Sequence, residues 1–107
     1  DRKDAVCRHA VDIFVSIYGA EAGNLALRTK AIGGVYIGGG IARTLLSKKS
    51  KPFLNAFCDK GRQSYLTKQI PVFVVMNPEV GVLGAANCAR KFFFNDIFPQ
   101  KEYPLEL

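Results

Sequence analysis

Three consecutive glycines, Gly38, Gly39 and Gly40, are the residues of this chain whose type and spacing best suit chemistry. They follow a short β-branched and aromatic run and precede a stretch with helical character. A glycine turn between a buried strand and a helix start lets backbone N–H groups and the positive end of the helix dipole approach a ligand, which favours phosphate. Taken alone, the turn is equally consistent with a purely structural turn, because it matches neither the Walker A loop nor the spaced dinucleotide fingerprint. We call these three residues the glycine turn.

The positive charge of the chain is concentrated around the glycine turn. The 107 residues carry a formal net charge of +6, and no acidic residue lies between Glu21 and Asp59. The same interval contains six basic residues, Arg28, Lys30, Arg43, Lys48, Lys49 and Lys51. This pattern fits an anionic ligand near the middle of the chain, and it also fits a solvated basic face. Nucleic acid is disfavoured as the anion, because no aromatic residues alternate with the basic ones and no recognition motif is present.

The cysteines and the single histidine do not predict a metal or disulfide site. Cys7, Cys58 and Cys88 are odd in number and widely spaced, which fits reduced thiols better than a disulfide framework. Cys7 and His9 would point to different sides of a helix, and partner ligands are not evident. No apolar run reaches the ~20 residues of a membrane span and no signal-peptide pattern is present. We therefore expect a cytoplasmic protein without a metal site or membrane segment.

The elements that must position the glycine turn are alternating helices and short strands. From Asp4 to about Ile17, apolar residues recur with helical spacing, which predicts an amphipathic helix. Its predicted buried face carries Val6, Ala10, Ile13, Phe14 and Ile17. Gly19 and Gly23 interrupt this apolar pattern, and residues 25–27 resume it. Small residues four positions apart allow another backbone to approach closely.

Two short strands, residues 35–37 and 72–75, are predicted beyond this helix, and the second is too continuously apolar to have a solvent-exposed face. Further helices are predicted at residues 41–47, from Pro52 until Gly61, at residues 62–69 and at residues 80–92. Two buried strands separated by about thirty mostly helical residues are expected to run parallel with a right-handed crossover. Because two strands make a poor sheet, we expect more strands to lie beside them. The tail from Asn95 shows neither helical nor strand periodicity.

The length suits one domain or a part of one. Because the chain begins at Asp1 and its only methionine is Met76, we expect a segment to precede it.

Five segments, in their order and spacing, resemble the C-terminal third of bacterial-type glucokinase. They are residues 18–27 (YGAEAGNLAL), 33–41 (GGVYIGGGI), 53–62 (with AF and KGR), 70–72 (IPV) and 81–86 (GVLGAA). The similarity covers roughly residues 5 to 88. Many sugar kinases of the actin and hexokinase superfamily share a Gly-Gly turn, whereas the AGNLAL and KGR segments point to the glucokinase branch.

The resemblance implies an α/β fold: the C-terminal part of a ribonuclease H-like, actin-like ATPase lobe, helix-rich with two short parallel strands. Residues 1–92 would belong to the large lobe and residues 93–107 would be a tail. The implied activity is transfer of the γ-phosphoryl group of ATP to the 6-hydroxyl of glucose, with Mg²⁺. In that family the glycine turn is the adenosine motif, so Gly38, Gly39 and Gly40 are the expected ATP-binding residues. Because the family commonly has Ala at the position of Gly38, Gly39 and Gly40 rank above it.

The phosphate loop, the catalytic Asp and the glucose-binding residues of the family belong to its upstream two thirds, and none of them matches here. We therefore assign no catalytic or metal-binding residue to this chain and expect Mg²⁺ to be held mainly by the missing part. The chain alone is predicted to be inactive and, through exposed strand edges, to associate with copies of itself. Another sugar kinase of the same superfamily and a non-catalytic interaction module remain as alternatives.

Overall fold

The computed structural model describes the fold of residues 2–97 and the side chains of residues 4–93. In chain order the elements are α1 (Arg2–Thr29), β1 (Val35–Ile37), α2 (Gly40–Cys58), a 3₁₀ turn (Gly61–Gln63), α3 (Ser64–Thr67), β2 (Val72–Val74) and α4 (Val80–Ile97). One compact unit ends at Met76 and a second begins at Asn77. The prediction of a helix-rich α/β chain with two short parallel strands is confirmed.

The two strands pair in parallel, with Tyr36 opposite Phe73. The pairing is continued by the N–H of Val35, which donates to the carbonyl of Pro71, and by the N–H of Val75, which donates to the carbonyl of Ile37, both at 2.9 Å. The prediction that the second strand has no solvent-exposed face is wrong, because Phe73 is 44% exposed. Its ring stacks on that of Tyr36, with centroids 5.0 Å apart, so the two rings shield each other.

Helix α1 runs through both of its internal glycines without a break. A Cβ at Gly19 would overlap the backbone carbonyl oxygen of Phe53 in α2, and a Cβ at Gly23 would overlap that of Phe57. The predicted close approach of another backbone at these glycines is confirmed. The absent side chains therefore set the distance between α1 and α2.

The face of α1 that is buried differs from the predicted one. Val15 and Ala26 are fully buried, whereas Ile13 and Ile17 are 48% and 64% exposed. The difference arises because α1 is apolar on more than one side, and the glycines decide which side meets α2. The core that results contains Val15, Ala26, Ile37, Ala42, Leu46, Phe53, Phe57 and Ile70.

One described helix, α1 over Asp4–Thr29, is long and apolar enough to cross a membrane by length and composition alone. Core helices of other proteins pass the same test of length and composition, so the absence of a membrane segment stays a prediction. The apolar residues on several sides of α1 account for the result. Within its own unit, α1 packs its glycine face on α2, and Asp12 pairs with Lys49 of α2 at 2.7 Å.

Helix α2 bends in the middle. Lys49 has non-helical backbone angles (φ −122°, ψ 32°), and Pro52 follows three residues later. Proline has no N–H to donate and is suited to the first turn of a helix, so the second half of α2 effectively starts there. This agrees with the predicted new helix at Pro52. The bend places Phe53 and Phe57 in the core, where their rings stack 6.3 Å apart.

The second unit begins at Asn77 and contains α4. The side chain of Asn77 accepts a hydrogen bond from the N–H of Glu79 at 2.9 Å, which helps to turn the chain into the helix. The helix extends to Ile97, five residues beyond the predicted end at Phe92. The rest of the predicted tail, residues 98–107, lies outside the described residues.

Candidate functional site

The glycine turn lies where β1 ends and α2 begins. Ile37, the last residue of β1, is 6% exposed and anchors the turn in the core. Gly39 is the N-cap residue of α2, with φ 107° and ψ 164°. This region of backbone space is accessible essentially only to glycine. The fold therefore requires a glycine at position 39 regardless of any ligand.

The space around the glycine turn is open. A Cβ at Gly38 or Gly39 would meet nothing within 4 Å, and one at Gly40 would meet only Nη2 of Arg43, at 3.9 Å. No side chain caps the N-terminus of α2, and its first turn has no acidic residue. The first N–H groups of an uncapped helix lack intrahelical partners. They are therefore available to an anion that approaches through the open space, and the helix dipole favours such an anion.

Arg43 is the basic residue that the structure brings to the turn, and the sequence reading did not select it as a site residue. Its guanidinium lies beside Gly40 and makes no ion pair with a described carboxylate. Its spacing in the sequence could have indicated this position, because the third residue after Gly40 lies on the same side of the helix as Gly40.

The remaining positive charge does not gather at the turn. The ammonium group of Lys49 pairs with Asp12 on α1, and Lys48 and Lys51 are exposed on either side of the bend in α2. At 1.5 Å per residue, Lys48 lies roughly 12 Å along the helix from Gly40. The basic residues of α2 thus divide into Arg43 at the turn and three lysines around the bend, one of which pairs with Asp12.

The part of the chain with described side chains brings together no group of three or more His, Cys, Asp or Glu that could hold a metal ion. Cys7 and Cys88 are exposed free thiols, and Cys58 is a half-buried one.

Comparison with known proteins identifies the family. The family model described as Glucokinase matches residues 1–92. The chain belongs to the glucokinase family. It is 44% identical over 92 residues to the glucokinase of Nostoc punctiforme, a match that covers 85% of this chain and 27% of the relative. It is 47% identical over 89 residues to that of Synechocystis (82% and 25%), and 40% identical over 95 residues to that of Colwellia psychrerythraea (88% and 27%).

The resemblance to glucokinase seen in the sequence is therefore confirmed. The chain spans about a quarter of the length of the curated glucokinases it matches. The glycine turn brings together open space, uncapped helix N–H groups and a guanidinium that has no ion-pair partner among the described carboxylates.

Proposed function

We propose that this chain supplies the adenosine side of the ATP site of an ATP-dependent glucokinase, with Gly38, Gly39 and Gly40 as the residues that approach the nucleotide. The observation that carries the proposal is the open, uncapped glycine turn at the carboxyl end of β1, in a chain of the glucokinase family. The absence of side chains lets the backbone pack closely against the nucleoside and the α-phosphate. Gly39 and Gly40 lie at the helix start and are ranked above Gly38.

The physical basis of binding is the same as for other helix N-termini that hold phosphate. The free N–H groups of the first turn of α2 donate to phosphate oxygens, and the helix dipole adds to the attraction. ATP therefore fits the donors that the turn presents. Arg43 supplies a full positive charge on the same side of the helix.

The whole reaction is proposed to be ATP + glucose → glucose 6-phosphate + ADP. A carboxylate must accept the proton of the 6-hydroxyl, and Mg²⁺ supplies charge neutralisation on the phosphates. The described residues bring no set of ligands together for Mg²⁺, so we assign it mainly to the remaining three quarters of a glucokinase. We assign no catalytic residue to this chain and expect it to be inactive alone. The proposed setting is an actin-like ATPase lobe in the cytoplasm, with ATP and glucose as partners and neither nucleic acid nor membrane.

A chimeric enzyme tests this proposal. In Synechocystis glucokinase, the stretch that matches this chain would be replaced by the corresponding residues of the chain, and KM values for ATP and glucose would be measured separately. Gly40→Ala places a methyl group in the open space beside the glycine turn. It does not strain the backbone, because Gly40 has no positive φ. We expect about a tenfold rise in KM for ATP, which corresponds to ~1.4 kcal/mol, and little change in KM for glucose.

The matched control is Gly38→Ala, which also meets open space and also lacks a positive φ. Its KM for ATP should stay within about twofold of the parent chimera, because the family commonly has Ala at this position and Gly38 therefore ranks below Gly39 and Gly40. An unchanged KM for ATP in Gly40→Ala, and also in the bulkier Gly40→Val, would reduce the turn to a structural role. Glucose phosphorylation by the purified 107-residue chain would contradict its predicted inactivity.

A further inference from the structure

Helix α1 ends in a cap where glycine is the usual residue and this chain has Lys30. The N–H of Lys30 donates to the carbonyl of Leu27 at 3.2 Å, and the N–H of Ala31 donates to the carbonyl of Ala26 at 3.0 Å. This pair of bonds requires a residue with positive φ, and Lys30 has a φ of 51°. Such backbone is less favourable for lysine than for glycine. Side chains held in this way often serve a function.

A cavity of about 170 Å³ lies beside this cap. Its walls include Ala26 and Ile70, which are buried, and Leu66 of α3. Ile32 also lines the cavity, although this side chain is 76% exposed. A ligand that fills the cavity and covers Ile32 would remove apolar surface from water, which favours binding.

Two polar residues, Lys30 and Gln69, line the same cavity, and both are exposed. Lys30 makes no ion pair with a described carboxylate. The two stretches of chain that form the cavity are free of acids, since no Asp or Glu lies between Glu21 and Asp59 or between Asp59 and Glu79. The charge at the cavity is therefore positive, next to an apolar space.

We propose that this cavity binds a small organic monoanion, a carboxylate with a short branched or cyclic apolar body. Lys30 pairs with one carboxylate oxygen, the side-chain amide of Gln69 donates to the other, and the apolar body lies against Ile32 and Ile70.

The size and charge of the cavity favour this ligand class. Drug-sized ligands occupy about 300–1,000 Å³, so 170 Å³ suits a smaller molecule such as benzoate. A phosphate monoester is less suitable, because it carries nearly two negative charges and Lys30 supplies one positive charge. The cavity precedes β1, whereas the glycine turn follows it, so this proposal does not rest on the proposed function.

Titration of the purified 107-residue chain with benzoate tests the proposal, with NMR signals of the Gln69 side-chain amide and the Ile32 and Ile70 methyl groups as the readout. We expect saturable shifts at these groups with a Kd on the order of 1 mM. Benzamide has the same ring without the charge and should bind at least about tenfold more weakly. Equal affinity for the two compounds, or no saturable shift with benzoate, would overturn the proposal.

Two lysine substitutions locate the charge that holds the carboxylate. Lys30→Met removes the ammonium group and keeps the apolar stem, so it should weaken benzoate binding at least about tenfold. Lys68→Met is the control, because Lys68 is exposed and does not line the cavity, and affinity should stay within about twofold. An equal loss in both variants would indicate general charge attraction and contradict a site at Lys30.

Lys30→Gly separates binding from folding. Glycine suits the positive φ at this position, so the variant should unfold at a higher temperature than the parent chain. Benzoate binding should nevertheless fall at least about tenfold, because the cation is gone. Full binding by this variant would overturn the role of Lys30. Inorganic phosphate that shifts the same signals with the affinity of benzoate would overturn the choice of an apolar carboxylate.

Discussion

Lys60 joins the turn after α2 to the middle of α1 through one charged hydrogen bond. Its ammonium group donates to the carbonyl of Ala20 at 2.7 Å, in a partly buried position. Its aliphatic stem passes over Gly23, where a Cβ would meet Cε of the lysine at 2.7 Å. The Lys-Gly-Arg segment that contributes to the glucokinase resemblance thus has a structural use in this fold.

We expect Lys60→Met to lower the free energy of unfolding by about 1–2 kcal/mol, because a hydrogen bond with a charged donor is lost while the apolar stem is kept. Urea unfolding of the free chain measures this. Lys68→Met is the control, since Lys68 is exposed and should change stability by less than about 0.5 kcal/mol. Equal stability of the two variants would show that the bond contributes nothing.

At the scale of elements, the contact between α1 and α2 depends on what is missing from α1. Glycine in a helix interior is unfavourable by roughly 1 kcal/mol relative to alanine, so two glycines in α1 are a local disadvantage. The disadvantage is offset because the missing side chains let α1 lie directly against the backbone carbonyls of Phe53 and Phe57 in α2. The bend at Lys49 and Pro52 then directs the second half of α2 along this surface.

Gly23→Ala should therefore destabilise the chain by about 1–3 kcal/mol, even though alanine is the better helix former, because the added methyl group forces the helices apart. Ser16→Ala on the exposed side of α1 gains helix propensity without a new contact, so it should be neutral or slightly stabilising. Thermal unfolding of both variants provides the measurement. A Gly23→Ala protein with a raised Tm would mean that the helices are not in close contact.

At the scale of the molecule, the first unit has a small core and large exposed apolar side chains. Val6, Ile17 and Ile32 are each more than half exposed. Exposed apolar side chains lose contact with water when another protein surface covers them, which favours association. The chain spans about a quarter of the length of the glucokinases that it matches.

In the absence of that cover, we expect the free chain to self-associate at high concentration. Sedimentation over a range of concentrations should show a rising average mass, and Ile17→Lys should shift the rise to higher concentration by removing apolar surface from α1. Asn24→Lys adds the same charge at an exposed polar position and should have a smaller effect. A single monomeric species at all concentrations would contradict the prediction.

Features that depend on local backbone requirements could be predicted from the sequence alone. They include the glycine turn between a strand and a helix, the helix start at Pro52, the close approach at Gly19 and Gly23, and the parallel strand pair. Each follows from the conformational limits of glycine or proline, or from the distance between two apolar runs. The resemblance to glucokinase also came from the order of these segments.

Only the tertiary structure decided which of the possible contacts form. The spacing of apolar residues in α1 fits more than one buried face, and the fit of Gly23 to the backbone of α2 selects the face of Val15 over that of Ile13. The same holds for Arg43 at the glycine turn, and for Lys60 at the carbonyl of Ala20, 40 residues away in sequence. Contacts of this kind depend on the positions of whole helices, and helical periodicity in one segment does not encode them.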